Sequence, residues 1–203
     1  MKKEHQGIAI VIVAIIVIVP VSGILLNMTL LRWPYADGTV LSFKLTTSGY
    51  NNYAAIPYSY LNGTLLHANI TTLPSLDQYS IGFSFDDILT TICTTTFLNS
   101  GSLAPSYLNA LISRSVIPVG VYHTIDSWFD DAPEGSGNTN FSSMTQNQLE
   151  YGFYHDSVDK RLGWKCTINT TTGYPVSVEF WRSEVCPGTN HSYRIVLTLV
   201  TPE

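Results

Sequence analysis

Charged side chains are scarce in this chain, at 12% of its 203 residues. An ordinary globular domain carries about 25%, so solubility here falls to hydroxyls and amides, which 42 Ser and Thr and 12 Asn supply. Positive charge is the scarcer sign. Setting aside Lys2, Lys3 and Glu4, 8 basic residues face 14 acidic ones, a net charge of about −6. That balance excludes nucleic acid as a partner, because displacing counterions from phosphates takes Lys and Arg. It equally disfavours docking of the main domain onto anionic lipid.

Cysteine is nearly absent: Cys93, Cys166 and Cys186. No two of them form a C-x-x-C pair, which removes support for redox or zinc chemistry. In an oxidising compartment two would pair, and Cys166 with Cys186 closes the shortest loop, which would stabilise the fold by about 3 kcal/mol. A simple hairpin centred on Thr172 would set Cys166 opposite Val178, so this bridge requires Cys186 to lie in a returning loop or a neighbouring strand.

Catalytic signatures are missing as well. There is no G-x-S-x-G elbow, no phosphate-cradling glycine loop and no H-E-x-x-H, hence no expected cofactor and no expected enzyme activity. The densest polar group is His123, Asp126, Asp130 and Asp131, within HTIDSWFDD. Asp126, Asp130 and Asp131 together form the one candidate metal site, since several oxygens in one loop suit calcium; equally, they are solvated loop acids. His155, Asp156 and Asp159 flank an expected turn, where Asp stabilises backbone locally.

What the sequence does contain begins with an apolar run. Ile8–Leu26 spans 19 residues without a charge, about 28 Å as a helix at 1.5 Å per residue. A hydrocarbon core is about 30 Å thick, so the run is expected to be a transmembrane helix. Lys2 and Lys3 precede it, which predicts a cytoplasmic N-terminus and an extracellular main domain at the cell membrane. The resulting division is 1–7 cytoplasmic, 8–26 transmembrane, 27–38 linker and 39–203 extracytoplasmic domain. Two other readings use the same residues. A cleaved signal peptide would end at Val21-Ser22-Gly23, and a pilin-like leader would end at Gly7 and deliver a filament subunit.

Six Asn-x-Ser/Thr sites begin at Asn27, Asn62, Asn69, Asn140, Asn169 and Asn190. Asn27 lies too close to the apolar run, leaving Asn62, Asn69, Asn140, Asn169 and Asn190 as glycosylation candidates.

Beyond the run, periodicity predicts mostly strands. Leu41, Phe43 and Leu45 alternate with polar residues in Val40–Thr46. Tyr53–Leu61 and Thr64–Thr71 flank Asn62-Gly63, a strong hairpin signal. Ile88, Leu89, Ile92, Cys93 and Phe97 fall at helical spacing, with Ser84 as N-cap, and a second short helix is expected over Pro105–Ser113. Ser115–Thr124 reads as a strand and Asp130–Ser143 as a long loop. The last third reads as a meander of Leu149–His155, Arg161–Asn169, Val176–Arg182 and Ser192–Val200. The expected class is therefore α+β, a transmembrane helix followed by a mainly antiparallel curved β-sheet with one or two helices on one face. Twelve Tyr and four Trp fill the core of such a sheet or form a sugar- or lipid-binding face on it.

Tyr154-His155-Asp156, then a four-residue turn, Arg161-Leu162 and a strand ending at Ile168 form a pattern with the closing Tyr193–Leu199 strand. It resembles the C-terminal hairpins of uncharacterised archaeal membrane-anchored surface proteins, and strand–turn–strand pieces of half-barrel lipoprotein carriers of the LolA type. Asp159-Lys160 stands where those have Thr-Gly, and Arg161 replaces an apolar residue. The resemblance implies a surface protein with a curved sheet and transfers no activity. Together these features lead one to expect a non-enzymatic, membrane-anchored interaction or structural protein with a partner at the cell surface; a carrier of an apolar ligand in a LolA-like half-barrel is the second expectation.

Overall fold

The computed structural model describes residues 31–50, 62–76, 93–97, 106–130, 137–186 and 189–200. In chain order these form β1 (Val40–Tyr50), β2 (Leu65–Ile70), β3 (Cys93–Phe97), α1 (Ser106–Ser113), α2 (Tyr122–Asp130), β4 (Asn138–Met144), β5 (Gln148–Asp156), β6 (Lys160–Asn169), β7 (Pro175–Cys186) and β8 (Thr189–Val200). All eight strands join one sheet in the order β3-β2-β1-β8-β7-β6-β5-β4, and every neighbouring pair is antiparallel.

The two-residue alternation of each strand decides which face becomes the core. Leu41, Phe43 and Leu45 of β1, Leu66, Ala68 and Ile70 of β2, Leu149 and Tyr151 of β5, and Trp164, Cys166 and Ile168 of β6 are all buried. So are Val178 of β7 and Ile195 and Leu197 of β8. Both helices cover this face. Leu108, Leu111 and Ile112 of α1 and Tyr122, Ile125 and Phe129 of α2 are buried at helical spacing, and α2 is tied to β4 where Ser142 Oγ donates to Asp126 O at 2.9 Å. Rings lock the α2 contact: Phe129 lies 5.5 Å from Tyr151 and 6.1 Å, edge-on, from Trp164. Tyr151 OH donates to Arg114 O, and the Arg114 guanidinium sits 4.8 Å above the Trp164 ring.

Several expectations are corrected here. Residues 31–38, expected to be linker, pack onto the domain: Arg32 bridges Val119, and Tyr35 is buried with its hydroxyl donating to Gly173 O at 2.8 Å. The Asn62-Gly63 turn exists, with Gly63 at φ +83°, yet the strand after it pairs with β1 and β3. Both edges of β2 are thus filled, and its expected partner, Tyr53–Leu61, lies outside the described residues. Cys93–Phe97 is a strand because its Thr run favours extended backbone over the expected helix; the rest of that helix, Ser84 included, lies outside the described residues. Ser115–Thr124 forms no strand. Val116, Ile117 and Val121 enter the core from irregular backbone, and α2 begins at Tyr122. The expected loop Asp130–Ser143 contains β4.

The expected class is corrected too: the described residues form a mostly β domain, one antiparallel sheet with two short helices of 8 and 9 residues. No helix among the described residues is long and apolar enough to cross a membrane. Ile8–Leu26, the expected span, lies outside the described residues, and single-pass anchoring, cell-membrane placement and an extracellular main domain have no support in the structure. Among the described residues the sheet ends at β3 and β4, which do not pair, so these strands close into no barrel.

The Cys166–Cys186 bridge fails on geometry. Cys166 pairs with Val178, as a hairpin at Thr172 requires, whereas Cys186 pairs with Thr189 at the far end of β7. Cys186 lies eight residue steps along β7 from Val178, roughly 26 Å at 3.3 Å each, against a limit of about 7 Å between bridged Cα atoms. Cys166 is a free, buried thiol.

Candidate functional site: the outer face of the sheet

The face opposite the helices carries a continuous lateral row. Successive cross-strand partners run Ser48 (β1), Arg194 (β8), Trp181 (β7), Gly163 (β6), Tyr154 (β5) and Thr139 (β4). Directly opposed residues point to the same face, so one polar end, a tryptophan, a glycine and a tyrosine lie side by side. A parallel row holds Val196, Glu179, Lys165, Gly152 and Phe141.

The two glycines leave room for aromatic rings from the neighbouring strands. The six-membered part of the Trp181 indole occupies the space where a Cβ on Gly163 would stand, and Phe141 does the same above Gly152, with Cζ at 2.7 Å from that position. A ring seated over a strand glycine covers backbone that no side chain of its own would cover. Phe141 and Tyr154 meet with centroids 6.1 Å apart, and Tyr154 remains 37% exposed.

Beside Trp181 lies a depression of about 300 Å³, open to solvent and bordered by Ser48, Gly49, Ser183, Ser192 and Arg194. Gly49, at φ +95°, brings the end of β1 so close to Ser192 that any side chain there would strike the Ser192 carbonyl. Arg194 is held rather than loose: Nε and Nη2 donate to the two Glu179 carboxylate oxygens at 2.6 and 2.8 Å. That pairing also raises the Arg194 pKa, so the guanidinium stays charged. An indole, a guanidinium fixed by Glu179 and three serines thus border one shallow recess.

The sequence-derived candidates fall elsewhere. His123 and Asp126 lie on α2, with His123 exposed; the Asp130 side chain and Asp131 lie outside the described residues, and no group of three potential metal ligands occurs among the described ones. His155 Nδ1 lies 2.8 Å from Asn138 Oδ1, and Asp156 accepts from Arg161 Nε at 2.9 Å, so both serve the ends of β4–β6. Asp159 contributes its backbone carbonyl, which accepts from Val185 N at 2.9 Å. Among the glycosylation candidates, Asn62, Asn69 and Asn140 are exposed. Asn169 Oδ1 caps the β6–β7 turn by accepting from Thr171 N and Thr172 N. Asn190 lies in β8, its side chain outside the described set.

A second recess, about 340 Å³, opens between α1 and β7–β8 beside Tyr107, Arg114, Phe180 and Tyr193. The helix-covered face is otherwise filled by core side chains, Phe43, Leu45, Leu66 and Tyr151 among them.

By fold the chain is an open, antiparallel, mostly β domain with an aromatic outer face. It matches no family model, no curated protein and no solved structure. The resemblance to LolA-type carriers and archaeal surface proteins is thereby corrected, because no related structure supports it and the sheet is not a half-barrel. With it go the expected apolar ligand, the membrane contact, the cell-surface protein partner and the filament subunit.

Proposed function

We propose that this chain is a non-catalytic recognition domain that binds a carbohydrate on the outer face of its sheet. The observation that carries this reading is Trp181, whose six-membered ring sits over Gly163 beside three serines and Arg194, itself held by Glu179. A pyranose ring has an apolar C–H face and a rim of hydroxyls. The indole matches the first, while the guanidinium and the serines match the second. A recess of about 300 Å³ sits at the small end of ligand pockets and suits one sugar unit, with Tyr154 and Phe141 placed to extend contact along a chain. Excess negative charge elsewhere favours neutral glycans over acidic ones.

The test is retention of the full-length chain on a panel of immobilised neutral oligosaccharides. Wild type is expected to bind at least one, and Trp181→Ala and Arg194→Ala to lose at least about tenfold in affinity, or about 1.4 kcal/mol. Trp181→Phe, which keeps a ring over Gly163, should retain part of it. Absence of binding by wild type, or undiminished binding by a folded Trp181→Ala chain, overturns the reading.

A further inference from the structure

Among the described residues, the outer edge of β4 is unusually bare. Gly137 O accepts from Asp156 N, and Thr145 N donates to Gln148 O. In an antiparallel ladder the inward-bonded residues alternate, so positions 137, 139, 141, 143 and 145 bond to β5. Asn138, Asn140, Ser142 and Met144 therefore aim their N–H and C=O groups away from the sheet, and no strand among the described residues pairs there. Sheet edges are ordinarily protected by Lys, Pro, a bulge or very short length. The strand reads NTNFSSM over seven residues, with no charge and no proline, and its register with β5 is unbroken.

We propose that β4 pairs with β4 of a second copy of this chain, about a two-fold axis through Phe141. The occupant follows from self-complementarity. Around that axis Asn140 faces the partner's Ser142 and Asn138 faces the partner's Met144, and these are the residues with outward backbone groups, so each finds a mate. Phe141 faces the partner's Phe141 at a position without ladder hydrogen bonds, where side chains come closest. An uncharged strand meets no like-charge penalty with its own copy, and the isologous contact closes after two copies. A two-fold axis perpendicular to the sheet keeps both outer faces on one side, so two aromatic rows lie end to end. The pairing does not depend on what those rows bind.

Sedimentation equilibrium of the full chain tests this. Wild type at about 100 μM should show twice the 22.5 kDa chain mass, since a dissociation constant below about 10 μM leaves most chains paired. Phe141→Lys and Phe141→Glu should each sediment as monomers, because like charges then face one another across the axis. An equimolar mixture of the two should return to the dimer mass, which a merely misfolded variant would not do. A monomeric wild type, dimeric single variants or a mixture that stays monomeric would each overturn the proposal.

Discussion

Replacing Gly163 by Ala tests the seating of Trp181 without touching a charged or hydroxyl group. The added methyl would meet the indole and also the Phe153 carbonyl oxygen, 2.6 Å from the new Cβ. The indole can swing aside; the carbonyl belongs to the β5–β6 ladder and cannot. Overpacking of this kind costs about 1–3 kcal/mol, and the upper half applies because one clash is with backbone. Gly38→Ala is the control. Nothing lies within 4 Å of its Cβ position, yet φ is +86°, so only left-handed strain of about 1 kcal/mol is added. Urea unfolding followed by far-UV circular dichroism measures both, and tryptophan emission reports the displaced ring. In Gly163→Ala combined with Trp181→Ala the two losses should add to less than their sum, because one of the clashes has gone. A Gly163→Ala chain within 0.5 kcal/mol of wild type, with unchanged emission, would show that the indole does not lie on the glycine.

Further outcomes follow from the core and from β7. Burial pushes the Cys166 thiol up to about 12, with the Arg114 charge pulling the other way; alkylation of native protein followed by peptide mapping should leave Cys166 unlabelled until denaturant is added. Because that folded-state value exceeds the unfolded one of about 8.5, the contribution is whole below it and is lost as pH rises toward about 12, so the stability gap between wild type and Cys166→Ala should narrow over that range. Tyr151→Phe removes the hydroxyl bond to Arg114 O and should cost about 1 kcal/mol by urea midpoint. Glu184 is held below the usual carboxylate range by its bond from Arg182, burial opposing. Its contribution is present above the unfolded value of about 4.3 and fades as pH falls through the folded one. The difference between wild type and Glu184→Gln should therefore be largest near neutrality and disappear in acid, read from urea midpoints across that range.

The C-terminal meander was readable because its signals are local. Leu162, Trp164, Cys166 and Ile168 alternate and are neighbours of β5 and β7 through short turns, so period and turn residues suffice. Pairing across the whole chain is not local, and nothing in Val40–Thr46 announces that β1 lies beside β8. β4 read as loop because an edge strand with a solvent-facing side needs few apolar residues. Ser115–Thr124 read as strand because it is apolar, but it is irregular chain up to Val121 and helix from Tyr122, and burial alone does not distinguish these.

The outer site left a fainter trace. Trp181 falls in phase with Ser177, Glu179 and Ser183, the polar side of β7, where a core tryptophan would not stand. Gly152 and Gly163 each interrupt a strand, a sign of close approach by something else. The ring above Gly163 comes from β7, so the association becomes visible only once register is known. The spacing of His123, Asp126 and Asp130 suits a helix, and α2 carries them along its length instead of gathering them in a loop; Asp131 lies outside the described residues.

Chemical-shift mapping on the isotopically labelled chain during titration with a neutral oligosaccharide bound in the panel tests the central claim most directly. The Trp181 indole N–H and the backbone amides of Ser48, Ser183, Ser192 and Arg194 should move together and saturate at one affinity, with Tyr154 following for longer chains. Shifts confined to Tyr107, Arg114 and the recess beneath α1, or no shift at Trp181, would contradict recognition by the outer face.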